Sequence, residues 1–250
     1  SLLESQWDCT LEPTDRGLAL RMGLRYVKSL SESDWQCLQA AAEQGVFTSL
    51  SDVVRRTGLD EGALTALAEA GAFDCLGKTR RQALWEVRGL VHQAPLPLPV
   101  EVETEPAFNQ LSLFESINWD YERTNHSPRG HPLEPLRPRL QEMGLPDARS
   151  LAKRSHGEWV RYAGLVICRQ RPQTASGVTF MTLEDETGFV NLVVWPTVWK
   201  SYARMARTVG FLGVEGRLQV QEEVVHLIVE SFWPSDLIGQ PAKLASRDFH

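Results

Sequence analysis

The chain has 250 residues, 42% of them hydrophobic, with eight tryptophans and a formal net charge of −6. That length suits one large or two modest packed domains. No apolar run is long enough to span a membrane and no signal peptide opens the chain, so the expected location is cytoplasmic. The four cysteines, Cys9, Cys37, Cys75 and Cys168, form no C-x-x-C pair and join no histidine cluster, which argues against a metal site and for reduced thiols.

Taken in chain order, residues 31–92 read as four short helices. "SESDWQCLQAAAEQG" opens on serine and aspartate cap candidates and closes on Gly45. "TSLSDVVRRTG" runs from Thr48 or Ser49 to Gly58, and "LDEGALTALAEAG" from Asp60 to Gly71. "KTRRQALWEVRGL" is the fourth. Short helices joined by tight turns must share one small core. Residues 93–122 break the pattern. Prolines at 95, 97, 99 and 106 remove amide donors and favour extended backbone, so this stretch reads as a linker. Within it, "AFNQLSLFES" places Phe108, Leu111, Leu113 and Phe114 where no core is expected. Residues 123–157 carry five prolines, which limit regular structure to one short helix.

Charge divides along the same lines. Residues 92–122 hold six acidic and no basic side chains, whereas residues 123–171 hold ten basic and four acidic. The second stretch is either a footprint for phosphate or a solvated basic surface.

From residue 158 the apolar period changes to two. "EWVRYAGLVICRQ" is a first strand, "GVTFMTLEDETG" and "FVNLVVWP" form a hairpin, "TVWKSYARMAR" is a short helix, and "VGFLGVEGRLQVQEEVVHLIVESFWP" gives two more strands with a turn near residues 221–223. Three strands, a helix and two strands, with glycines at 164, 213 and 216 where a small barrel must bend, is the order of an OB-fold. Glu184, Asp185 and Glu186 stand side by side at the hairpin. Neighbouring strand residues point to opposite faces and cannot converge on one ion, so a solvated turn is expected rather than a magnesium site. His126 and His131 are expected to serve a loop. No nucleophile–base set or phosphate loop indicates a hydrolase.

The whole chain resembles the C-terminal part of bacterial C-family DNA polymerases. It is most similar to the error-prone paralogue of the polymerase III α subunit, the ImuC type. The resemblance rests on "RGLALRMGLRYVKSL", "FTSLSDVVRRTGL", "LAEAGAFDCLG", "RRQALWEV", "HSPRGHPL", "GVTFMTLEDETGFVNLVVW" and the terminal "SRDFH", in that order and spacing. It implies a piece of a longer protein with its natural C-terminus. The implied fold class is α+β with two domains, an all-α helix-hairpin-helix region at 1–92 and a five-stranded OB-fold β-barrel at 158–235. An acidic linker at 93–122, a basic connecting segment at 123–157 and a tail at 236–250 complete it.

The resemblance also implies function. The whole protein would be a DNA polymerase with magnesium-binding carboxylates, used in translesion synthesis. This chain would hold no catalytic residue, no metal and no cofactor. Helix-hairpin-helix modules grip a DNA duplex through backbone amides, which marks Lys28, Ser29, Ser31, Arg56 and Gly58, with Lys78, Arg80 and Arg81 beside them. The sequence departs from the family where glycines are expected near Ser29 and Ser31. OB-folds bind single strands through aromatic platforms and cations, which marks Arg169, Arg171, Phe180, Trp195 and Arg217. Gln110, Leu111, Ser112, Leu113 and Phe114 resemble the extended peptide such polymerases dock into the β sliding clamp, with the leucines and phenylalanine filling apolar pockets; the rival reading staples them to a neighbouring domain. An ImuB-like, Y-family-related protein is a further implied partner. The alternative is a free-standing OB-fold module for nucleic acid or protein, unrelated to polymerisation.

Overall fold

A computed structural model describes residues 1–15, 17–92, 106–221, 224–234 and 247–249. It divides into two compact units, residues 1–112 with 123–126, and residues 113–122 with 127–250.

The first unit opens with a two-stranded hairpin that the helical reading did not include, β1 (Thr10–Thr14) and β2 (Gly17–Arg21). Four helices follow: α1 (Glu32–Glu43), α2 (Leu50–Thr57), α3 (Glu61–Glu69) and α4 (Arg80–His92). The cap signals work as chemistry requires. Ser31, Ser49 and Asp60 accept the amides of Asp34, Asp52 and Ala63, so each helix starts with an otherwise orphaned donor satisfied. Leu50, Val53, Leu64, Leu67, Phe73 and Val87 are buried together as the shared core.

Helix α5 (Leu113–Thr124) replaces the second half of the expected linker. The expectation for residues 93–105 lies outside the described residues. Two short helices, α6 (Arg137–Glu142) and α7 (Ala148–Leu151), rather than one, occupy the proline-rich segment. Two of its five prolines, Pro135 and Pro138, sit in first turns, where no amide donor is required, so they cost less structure than expected.

The barrel is the order the period predicted: β3 (Trp159–Gln170), β4 (Thr179–Asp185), β5 (Gly188–Val194), helix α8 (Pro196–Thr208), β6 (Phe211–Gln221) and β7 (Val224–Pro234). Strands run β4-β5-β7-β6-β3, and β3 pairs back onto β4 to close it. The β5–β7 pair is parallel and the other barrel pairs are antiparallel. A short strand β8 (Arg247–Phe249) lies parallel to the end of β3. Gly213 and Gly216 are there for space. A Cβ on Gly213 would meet the Trp233 ring at 2.2 Å, and one on Gly216 the Ile228 carbonyl oxygen at 1.9 Å, where β6 and β7 shift register.

Inside the barrel Tyr162, Met181, Leu183, Leu192 and Leu227 pack as one cluster. Outside it, Leu133, Leu140 and Leu145 cover Ala163, Leu165 and Phe211. The acidic turn pins that cover down. Asp185 is buried, not solvated. It accepts the amides of Ala148 (2.7 Å), Thr187 (2.7 Å) and Gly188 (3.2 Å) and pairs with Arg137 at 3.2 Å. Glu186 binds the same guanidinium. Burial opposes the charge on Arg137, but Glu186 and Asp185 outweigh it and hold its pKa above the ordinary arginine value. Burial likewise drives the Tyr162 hydroxyl well up, with Asp185 adding to it.

His131 belongs to this covering segment. Its Nδ1 accepts the Leu133 amide at 3.1 Å, and burial pushes the imidazole pKa below the ordinary 6.5 against the pull of Glu186, Asp185 and Glu134. The unfolded chain therefore binds the proton more readily. Stability is present above the ordinary value and lost as pH falls through it. Melting should drop between about pH 7.5 and about pH 5.5. His131→Asn, which keeps an acceptor for the Leu133 amide, should flatten that drop; equal drops in calorimetric scans of both proteins would rule His131 out.

Candidate nucleic-acid interface

The hairpin entering α1 has at Ser29, but not at Ser31 (φ −97), the backbone shape that the expected glycines would allow. Ser29 stands in the left-handed region at φ 69. Its neighbours are already engaged. The Lys28 amide donates to the Arg123 carbonyl at 2.9 Å and the Leu30 amide to Val27 at 3.2 Å. Ser31 forms a capping box with Asp34, its amide bound to that carboxylate at 2.8 Å. Glu32 and Asp34 place negative charge in the first turn, where a phosphate would sit.

The other cations expected to bind DNA from this unit are occupied by the fold. Arg56 donates to Gly45 (2.8 Å) and to the Ala41 carbonyl, pairs with Asp52 at 3.0 Å, and lies 4.6 Å over the Phe47 ring, so it closes the end of α1. Gly58 is the left-handed C-cap of α2. Lys78 pairs with Glu86 at 3.0 Å, and Arg80 is buried beside Gly71. Arg81 donates to the Asn109 carbonyl at 2.8 Å.

The barrel separates its candidates. Arg169 is buried: its Nε donates to Ala206 at 2.7 Å and its guanidinium also reaches Val209 at 2.9 Å, so it holds the end of α8 rather than a ligand. The charge pattern could not distinguish it from Arg171, which is exposed at the start of the loop to β4. Phe180, Trp195 and Arg217 are exposed, with Trp195 at 52% where β5 gives way to α8. Arg217 pairs with Glu230 at 3.3 Å at the surface, a contact worth little in water.

Strand register brings two of these into one line. Phe180 faces Val193, Val193 faces Ile228, Ile228 faces Arg217, and Arg217 faces Trp159, crossing all five barrel strands on the outer face. A parallel polar row runs Thr182, Asn191, His226, Gln219. Phe189 is 63% exposed next to Glu184 in register. Burial first, then Asp185, raises the Glu184 pKa, which weakens its hold on charge beside the aromatic. Sequence reasoning missed Phe189, Asn191, His226 and Trp159. Their alternation marked an outer face, but only the register shows that they share it.

Residues 1–83 match the family model of the helix-hairpin-helix motif, and residues 160–234 that of an OB-fold nucleic acid binding domain. An error-prone DNA polymerase of Methylococcus capsulatus is 42% identical over 90% of this chain and 23% of its own length. Error-prone DNA polymerase 2 of Rhizobium meliloti is 37% identical over 98% and 24%. The error-prone DNA polymerase of Pseudomonas fluorescens is 39% identical over 98% and 24%. The chain is similar to a segment of the error-prone DNA polymerases. It spans about a quarter of those relatives' length. A helix-hairpin-helix region followed by an OB-fold fits the C-terminal region of such a polymerase, as its sequence suggested.

The clamp-like residues straddle an element boundary. Gln110 and Ser112 are exposed, Leu111 and Phe114 half-buried, and Leu113 is 57% exposed at the first position of α5. Gln110 to Ser112 carry no regular secondary structure, and from Leu113 onward the backbone is helical rather than extended.

Ser29 offers a direct test of the hairpin. A serine in left-handed backbone is strained where glycine is not, so Ser29→Gly should raise stability by about 0.5–1 kcal/mol in urea unfolding. A loss of stability would mean that the serine side chain compensates its own strain.

Proposed function

We propose that this chain is the non-catalytic, DNA-handling segment of an error-prone DNA polymerase used in translesion synthesis. Polymerisation and its magnesium ions would belong to the three quarters of such proteins that the chain does not match. Among the described residues no group of three His, Cys, Asp or Glu side chains is arranged to hold a metal ion, and Asp185 and Glu186 are committed to Arg137. The free-standing module loses ground because the alignments run across both units.

The observation that carries the reading is the outer face of the barrel, with Phe180, Phe189 and Trp159 exposed on strands whose inner faces are fully packed. Single-stranded template DNA would lie across it. Bases stack on aromatic rings at about 1–3 kcal/mol each, without sequence preference. Few cations stand by, and Glu230 and Glu215 partly neutralise Arg217 and Arg161. Binding should therefore depend on stacking more than on charge. Fluorescence anisotropy with a dye-labelled oligothymidine should give a shallow salt dependence, and Arg171→Ala with Phe180→Ala should weaken binding at least about tenfold. Absence of binding at low salt would defeat this reading. The helix-hairpin-helix unit, with its acidic first turn, would act as a joint that touches duplex DNA at most through the Ser29 hairpin.

Residues 110–114 are proposed to dock into the β sliding clamp, and an ImuB-like protein is the proposed mutasome partner. Exposure of Gln110 and Leu113 supports docking over stapling. Leu113→Ala with Phe114→Ala should abolish binding to purified clamp while leaving the circular dichroism spectrum unchanged. Undiminished clamp affinity in that variant would remove the motif from consideration.

A further inference from the structure

Trp159 is not among the residues that the OB-fold reading marked for DNA, yet it terminates the cross-strand row that begins at Phe180. Four inter-strand steps of about 4.8 Å separate the two ends, about 19 Å along the surface. One nucleotide cannot bridge that distance. Trp159 is 46% exposed at the first position of β3, although tryptophan is among the most costly side chains to leave in water. Its surroundings are ordered, with arginines that are mostly paired to glutamates. Arg217, its register partner, donates to the Gly157 carbonyl at 3.3 Å and is paired to Glu230 on β7. His156 accepts the Val220 amide at 3.1 Å, and Gly157 donates to Leu218 at 2.7 Å, so the segment before Trp159 is zipped onto β6 rather than loose. Lys153 and Arg154 are exposed just upstream, Arg154 paired with Glu158 at 2.7 Å. Arg161, two residues on, is placed over the Trp233 ring at 4.8 Å, which leaves the Trp159 indole rather than Trp233 as the exposed platform.

We infer that Trp159 and Arg217 form a second stacking subsite for single-stranded DNA, at the far end of the face from Phe180. One base would lie on the Trp159 indole with its phosphate toward Arg217 and Lys153. The intervening bases cross Ile228 and Val193, beside the amides of Asn191 and Gln219. This rests on the single-strand reading above and extends it. The strand runs across the barrel strands, and its grip has two ends.

The test uses the full chain and a labelled twelve-nucleotide oligothymidine in fluorescence anisotropy. Trp159→Ala should lower affinity about tenfold, Trp159→Phe should restore most of it, and Arg217→Gln should lower it less. Because the side chain is half exposed, melting temperature should change little, and it is measured alongside. Arg217→Gln keeps the test open if Trp159→Ala melts early. Loss of affinity in Phe180→Ala with wild-type affinity in Trp159→Ala and Arg217→Gln would overturn the subsite and leave the single-strand reading standing. Wild-type affinity in all of these variants would overturn both.

Discussion

The buried contact of Arg137 with Asp185 and Glu186 decides what the second unit can do. The Asp185 side chain is fully buried and that of Arg137 nearly so. Two charges out of water are tolerable only when their hydrogen bonds are filled, and breaking one partner costs about 3–5 kcal/mol. Asp185 fills its own with backbone amides from the β-turn and from the first residue of α7. The ion cluster thereby locks the basic connecting segment to the barrel, and that segment's leucines cover the middle of β3. What stays open on the outer face is the remainder: the start of β3, the outer rows of β6 and β7, and the hairpin of β4 and β5. A stability device thus sets how much of the outer face stays open.

The same contact explains why net charge was a poor guide. The stretch 123–171 carries a surplus of six positive charges, which invited a phosphate footprint. Arg123 pairs with Glu69, Arg129 with Asp120, Arg137 with the acidic turn, and Arg154 with Glu158, while Arg169 closes α8. Their partners lie up to 54 residues away in sequence, so a local charge count cannot see them. Caps behaved differently. Ser31, Ser49 and Asp60 act within three residues of themselves, and so their helices were legible from the sequence. The barrel order was legible too, because an alternating period survives whatever the strands pair with. Register is non-local, and it alone joins Phe180 to Trp159. Gly213 and Gly216 were read as bends but serve close approach, which depends on Trp233 and Ile228 across the strand pair.

Stacking suits this surface for an electrostatic reason. The chain is net acidic, and its exposed arginines on the barrel largely face glutamates. A phosphate approaching Arg217 displaces Glu230 rather than filling a vacant cation, so the net gain is a difference between two exposed pairs. Aromatic rings carry no such competitor. On an acidic chain, a single strand of any sequence would therefore gain more from Phe180, Phe189 and Trp159 than from added charge. Stacking tolerates every base, whereas direct base readout would demand one.

The clamp-like residues pose the opposite conformational problem. An extended peptide cannot keep Leu113 and Phe114 helical, so docking requires the first turn of α5 to open. That cost is limited. The first four amides of a helix have no intrahelical partner, so freeing these two residues gives up only the bonds their carbonyls accept, about 1 kcal/mol each net. Ile117 is fully buried, and Asp120 binds Ser127 at 2.7 Å and Arg129 at 2.8 Å. Opening must therefore stop before Ile117, one turn into the helix. The apolar side chains that looked misplaced in a linker are thus divided between two jobs. Leu111, Leu113 and Phe114 can leave with a partner at small cost, while α5 from Ile117 onward stays fixed to the fold that carries it.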